Sequence, residues 1–126
     1  MPIVRIESSI ALPPQTSRGE ALAAVAECIV RDLEVAPVQV RIAFVDLDPQ
    51  AVMVAGKTGG IQPPWIVAWA SILAGRTEEK RAAFIADLLT VLAKCFAVDE
   101  SVCRVLLQEY PSVHWGLGRA TATAKG

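Results

Sequence analysis

The chain has 126 residues, 53% hydrophobic and 20% charged, which suits one domain with a single core and argues against disorder. Twelve basic against thirteen acidic side chains leave a formal charge of −1, so neither nucleic acid nor an anionic membrane is expected as a partner. Three cysteines (Cys28, Cys95, Cys103) are odd in number and widely spaced, which argues against a disulfide framework or a metal site and fits a reducing, cytoplasmic setting.

The mean hydropathy of +0.43 is high for a small soluble chain, so part of the apolar surplus is expected to face another subunit. No signal peptide is expected, because Arg5 and Glu7 interrupt the first apolar run. Within the longest uncharged run, residues 58–75, only 65–74 are near-continuously apolar, too few to span a bilayer.

In chain order, residues 3–9 are rich in β-branched side chains and predict a strand, ended by Leu12-Pro13-Pro14. Thr16 or Ser17 can cap a helix, with Glu20 placed to complete a capping box. Leu22, Val25, Ala26, Ile29, Val30 and Leu33 then form one stripe at helical spacing. The helix should stop before Pro37. Residues 40–47 predict a second strand, followed by a polar turn, a short strand over 52–55 and a glycine-containing loop over 56–60.

The second half repeats this order, with a strand over 65–73 and a helix capped by Thr77 that carries Phe84, Ile85, Leu88, Leu89, Leu92 and Phe96 inward. A strand over 102–108 follows, then a tail broken by glycines from His114-Trp115-Gly116. Residues 33–37 and 96–100 correspond, as do 40–42 and 103–105, both at an offset of 63; residues 23–25 match 82–84 at an offset of 59. The fold class implied is α/β (α+β): a tandem β-α-β repeat, about residues 2–60 and 61–126, forming one domain. The two units would share a four-stranded, mostly parallel sheet with both helices on one face. The other face, expected to be apolar throughout (Ile3, Val4, Ile66, Val67, Val105, Leu106), would then need a second subunit to cover it.

Pro2 follows Met1, and removal of that methionine would leave a secondary amine at the start of a strand, where a neutral amine can act as a general base. Proline at position 2 is also common without any such role. Its company is more telling: Gly75-Arg76-Thr77, Ser101-Val102-Cys103-Arg104-Val105, and His114-Trp115-Gly116-Leu117-Gly118. Together these segments resemble the tautomerase superfamily in its fused, double-length form, similar to 4-oxalocrotonate tautomerase.

The resemblance implies Pro2 as general base, Arg76 as the arginine that binds a substrate carboxylate, and Arg104 as the arginine that polarises substrate oxygens. It implies Trp115 as the aromatic that keeps the site apolar, contacts across subunits, a homotrimer and no cofactor. The second strand starts near Ile66 in the proline's position, so one competent site per chain is expected. Arg41 matches the strand arginine in the first half and is either structural or a helper to a site across an interface. His114, the single histidine, is either a general acid at the substrate or a hydrogen-bonded surface residue. Lys80 and Arg81 read as a solvated helix face, and residues 57–60 as a turn.

The implied reaction is tautomerisation of 2-hydroxy-dienoates or enols of 2-keto acids, small carboxylates. Two alternatives stand beside it: a hydratase or dehalogenase of unsaturated acids, and a trimeric pseudoenzyme. In the hydratase-type relatives a glutamate falls where His114 stands and a tyrosine where Leu106 stands, so that chemistry would lack needed groups.

Overall fold

The structure is a computed structural model and describes residues 1–122. Strand β1 (Ile3–Ser8) leads through a loop to helix α1 (Arg18–Leu33) and on to β2 (Arg41–Asp46). Strand β3 (Ile66–Leu73), helix α2 (Glu78–Phe96) and β4 (Cys103–Tyr110) repeat the unit, and a hairpin of β5 (Gly116–Leu117) and β6 (Ala120–Thr121) closes the described chain. The main sheet has the order β2-β1-β3-β4. Each β-α-β unit contributes one parallel pair, and the units meet at the antiparallel β1–β3 pair, where Ile3 faces Ser71 and Ser8 faces Ile66.

Local chemistry sets the helix ends. The Ser17 hydroxyl accepts from the Glu20 nitrogen at 3.0 Å while the Glu20 carboxylate accepts from the Ser17 nitrogen at 3.4 Å, the reciprocal capping box that the spacing predicts. Thr77 caps α2 by accepting from the Lys80 nitrogen at 3.2 Å. Both helices stop on a left-handed residue that is not glycine, Glu34 (φ 54°) and Ala97 (φ 55°), 63 positions apart.

The core lies between the helices and one sheet face. Val4 and Ile6 of β1, Ile66 and Ile72 of β3, and Val25, Ile29, Phe84, Leu88 and Leu92 of the helices are at most 1% exposed. Burying side chains of this size stabilises the fold by about 1.5–3 kcal/mol each before entropy is counted. Buried Ser9 locks the two units together: its hydroxyl accepts from the Trp65 nitrogen and its nitrogen donates to the Trp65 carbonyl, both at 2.9 Å.

Three expectations need correction. The face without helices is not apolar throughout, because side chains alternate along a strand: Val4 and Ile66 point into the core, and Arg5, Glu7 and Trp69 point outward. Out there the Glu7 carboxylate accepts from the indole N–H groups of Trp69 (2.8 Å) and Trp65 (3.3 Å), and the Arg5 guanidinium lies 5.6 Å from the Trp69 ring centre. Residues 52–55 do not form a strand; Val54 and Lys57 make one isolated bridge around the positive-φ pair Ala55 and Gly56. Lys80 and Arg81 are not simply solvated, since Lys80 pairs with Glu34 at 3.1 Å and Arg81 with Glu109 at 3.2 Å.

Candidate active site

The antiparallel β1–β3 pairing brings the start of β1 beside the end of β3 and the loop after it. Pro2 occupies this junction with its ring fully buried, and its carbonyl accepts from the Arg41 nitrogen at 3.1 Å. Next to it is a cavity of about 320 Å³, lined among others by Met1, Ile3, Val38, Arg41, Trp115 and Leu117. A second hollow of about 300 Å³ shares Ile3, Trp115 and Gly116 with it and adds Ser71, Tyr110 and His114. The terminal amine beside Pro2 has its pKa lowered, first by burial and second by the positive charge of Arg76.

Arg76 is held by the backbone rather than by an acid. Gly75, at φ +126°, turns the chain out of β3, a conformation that side chains rarely tolerate. Arg76 then donates from Nη1 to the Leu73 carbonyl (3.2 Å) and from Nη2 to the Leu33 carbonyl at the end of α1 (2.9 Å). Its own carbonyl accepts from Arg81 Nη1 at 2.8 Å. Arg41 is held in the same manner, with Nη1 donating to the Val38 (2.9 Å) and Val40 (3.2 Å) carbonyls. Among the described residues, neither Arg41 nor Arg76 has a carboxylate within 4 Å, whereas Arg5, Arg18, Arg31 and Arg81 each do. Arg41, which lines the cavity without a counter-ion, favours a bound anion there.

Trp115 walls both hollows. It is 9% exposed and meets Tyr110 edge-on with ring centres 5.8 Å apart. The β5–β6 hairpin pins it, with the Ala122 nitrogen donating to the Trp115 carbonyl at 2.8 Å and Gly118 (φ +64°) making the turn. His114 is exposed at the rim, its backbone nitrogen donating to the Pro111 carbonyl at 2.9 Å.

One chain therefore gathers Pro2, Arg76, Trp115 and Arg41, with His114 in the adjoining hollow. Arg104 is elsewhere. It faces Val67, whose antiparallel neighbour is Glu7, so it lies at the opposite end of the sheet from Pro2. Sequence reasoning did not single out Tyr110 or Ser71, whose alternation along β3 and β4 could have placed them on the Trp115 side.

Comparison with known proteins fits this arrangement. The family model described as "Tautomerase enzyme" matches residues 71–123. A probable tautomerase of Ralstonia nicotianae, RSp0893, is 32% identical over 54 residues, 43% of this chain and 77% of that protein. The chain belongs to the tautomerase family. Among solved structures, Pt0534 inactivated by 2-oxo-3-pentynoate is 25% identical, with 98% of each chain covered and a TM-score of 0.88. A fused 4-OT wild-type asymmetric trimer, R7, is 26% identical, with 98% of each chain covered and a TM-score of 0.82. The tautomerase fold thus extends over both halves, although the family model matches only the second.

Proposed function

We propose that this tautomerase-family chain is a cofactor-independent keto–enol tautomerase of small 2-hydroxy-dienoates or enols of 2-keto acids, with Pro2 as its base once Met1 is cleaved. The observation that carries this reading is one cavity that joins the partly buried amino terminus to Arg41, with the charge of Arg76 acting on the same amine and neither arginine facing a carboxylate among the described residues.

The chemistry follows from the groups present. The neutral Pro2 nitrogen takes the enol hydroxyl proton, leaving a dienolate, and the protonated amine returns that proton to carbon, so the reaction is balanced without a co-reactant. Arg76 holds the substrate carboxylate and Arg41 stabilises the dienolate oxygen. Arg41 here takes the role that the family resemblance suggests for Arg104, because it is the strand arginine on the Pro2 cavity. Trp115 restricts water access, which strengthens both contacts and keeps the amine neutral.

The test is intact-mass spectrometry of the purified protein before and after 2-oxo-3-pentynoate, the acetylenic 2-oxo acid that inactivates Pt0534. The expected result is a chain lacking Met1 that gains the full mass of one reagent molecule. Addition of the Pro2 nitrogen across the triple bond forms one N–C bond and expels nothing, and peptide mapping should locate it on Pro2. A chain that retains Met1, or a reagent bound only to cysteine, would defeat the proposal.

A further inference from the structure

Stability alone does not account for the carboxylate near the Arg76 loop. Cys103, Val105, Leu107 and Glu109 alternate onto the helix-facing side of β4, so Glu109 brings a charge to the edge of the core. Its Oε1 accepts from Arg81 Nη1 at 3.2 Å, whereas its Oε2 is buried and, among the described residues, accepts no hydrogen bond. An unpaired buried acceptor is destabilising, and leucine would fill the same place without that penalty.

The partner of Glu109 reaches the site. Arg81 is four residues after the Thr77 cap, and a helical side chain there leans back towards the start of the helix. The same Nη1 that bonds Glu109 also donates to the Arg76 carbonyl at 2.8 Å. On the other side of Gly75, the Ala74 nitrogen donates to the carbonyl of Tyr110, the neighbour of Glu109 on β4, at 2.9 Å. The main chain around Arg76 is thus tied twice to one end of β4. The Arg76 guanidinium in turn reaches the Leu33 carbonyl, and its charge acts on the terminal amine. The other charged groups at this end are engaged elsewhere: Lys80 pairs with Glu34 at 3.1 Å, and Arg41 donates to the Val38 and Val40 carbonyls.

We propose that Arg81 and Glu109 are positioning residues for Arg76: Glu109 holds Arg81, and Arg81 fixes the Arg76 carbonyl, which keeps the Arg76 guanidinium beside the amino terminus. Neither residue lines the cavity there, so both act through Arg76 rather than on the substrate. The inference rests on the role given to Arg76 in the proposed function and adds what keeps that arginine in place.

The test reads the terminal amine directly, by ¹⁵N titration of the full chain labelled at methionine and proline, which reports whichever residue begins the chain and needs no turnover. Two effects of Glu109→Leu have opposite signs. Removing a negative charge disfavours the ammonium form and lowers the pKa of the amine, whereas freeing Arg76 takes a positive charge away from it and raises that pKa. The expected result is a rise, in the same direction as that given by Arg76→Met and smaller, with Tm unchanged or higher. In the ketonisation of 2-hydroxymuconate, measured on the high-pH plateau, Glu109→Leu should raise KM roughly three- to tenfold, as a weakened hydrogen-bonded contact does, and change kcat less than about twofold. In the Arg76→Met background the same change should alter KM less than about twofold. An unchanged or lowered amine pKa in Glu109→Leu, or a KM effect that persists without Arg76, would overturn the inference. If Glu109→Leu loses its native spectrum, Glu109→Gln is judged by the same sign, because it too removes the negative charge. Arg76→Met that moves neither the amine titration nor KM would remove the role of Arg76 and this inference with it; an Arg76→Met effect with none from Glu109→Leu overturns this inference alone.

Discussion

Replacing Arg41 tests whether the working site is the one that a single chain assembles. The Arg41 guanidinium is anchored by Nη1 to two backbone carbonyls, at 2.9 and 3.2 Å, which leaves its remaining donors for a substrate oxygen. A hydrogen bond to a charged group contributes about 1.5–3 kcal/mol, and two to one ligand are not fully additive, so Arg41→Met should cost about 2–4 kcal/mol of transition-state stabilisation. That is a loss of roughly 30- to 1000-fold in kcat/KM. The cost to folding should be small, because Arg41 is exposed and water can satisfy the two carbonyls, so Tm should barely move. Arg76→Met should lower turnover over the same range, and Arg104→Met should lower it less than either. The assay is ultraviolet detection of ketonisation of 2-hydroxymuconate or phenylenolpyruvate, with Tm measured on the same samples. An Arg104 effect equal to or larger than that of Arg41 would refute the reasoning, and would mean that the functioning site draws its strand arginine from a second copy of the chain.

The surroundings that lower the pKa of the Met1 amine, partial burial and the charge of Arg76, would act in the same direction on a Pro2 amine freed by loss of Met1; a base works when neutral, so activity should be present above the pKa of that amine and be lost as pH falls through it. A rate that instead falls with rising pH, read against a ¹⁵N-proline titration, would mark Pro2 as an acid and favour hydration or dehalogenation. Ala97→Gly should raise stability by roughly 0.5–1 kcal/mol in chemical denaturation, since the left-handed conformation at φ 55° strains alanine by more than glycine costs in unfolded-state entropy. The helix-free sheet face leaves Ile3 at 49% exposure, Leu106 at 45% and Trp69 at 36%, and light scattering should report a trimer at micromolar concentration. Glu7→Lys, which sets a positive charge beside Arg5 and removes the acceptor for two indoles, should shift that assembly toward monomer; a stable wild-type monomer would contradict the expectation.

The fold was legible because its signals are local. Ser17 with Glu20, Thr77, the apolar stripes and the 63-residue offset each constrain a few neighbouring residues, and the helix caps and the two parallel β-α-β units follow from them. The bare face was misjudged for a local reason too: an apolar strand read as a block hides the alternation that sends Val4 inward and Arg5 outward. What one chain places beside Pro2 was less legible, because it depends on the antiparallel meeting of the two units. No spacing within either unit says that the loop after β3 returns to the start of β1. The repeat shows Arg41 and Arg104 to be equivalent, but only the three-dimensional register shows which of them shares a cavity with the amine.

That register also supports the proposal of one catalytic site in a duplicated chain. An amine at position 66 would not suffice by itself. In the second unit the connection from β3 to α2 spans only residues 74–77, and this short path sets Arg76 against the Leu33 carbonyl, close enough to the terminal amine to act on its charge. The corresponding connection in the first unit, residues 9–17, is longer and carries Pro13-Pro14 in place of a Gly-Arg pair. Its nearest arginine, Arg18, is engaged by both oxygens of Asp46, each at 2.9 Å, and lies near the Phe44 ring. The Ile66 end of the sheet therefore lacks both a base and a free counterpart to Arg76, while it retains the strand arginine in its backbone clamp. The arginine clamp needs only a local 3₁₀ turn ahead of the strand, Pro37–Gln39 in one unit and Glu100–Val102 in the other, and so it survives in both halves. In the proposed reading the base and the loop arginine need the amino terminus and one particular loop length, and among the described residues one end of the sheet brings these together.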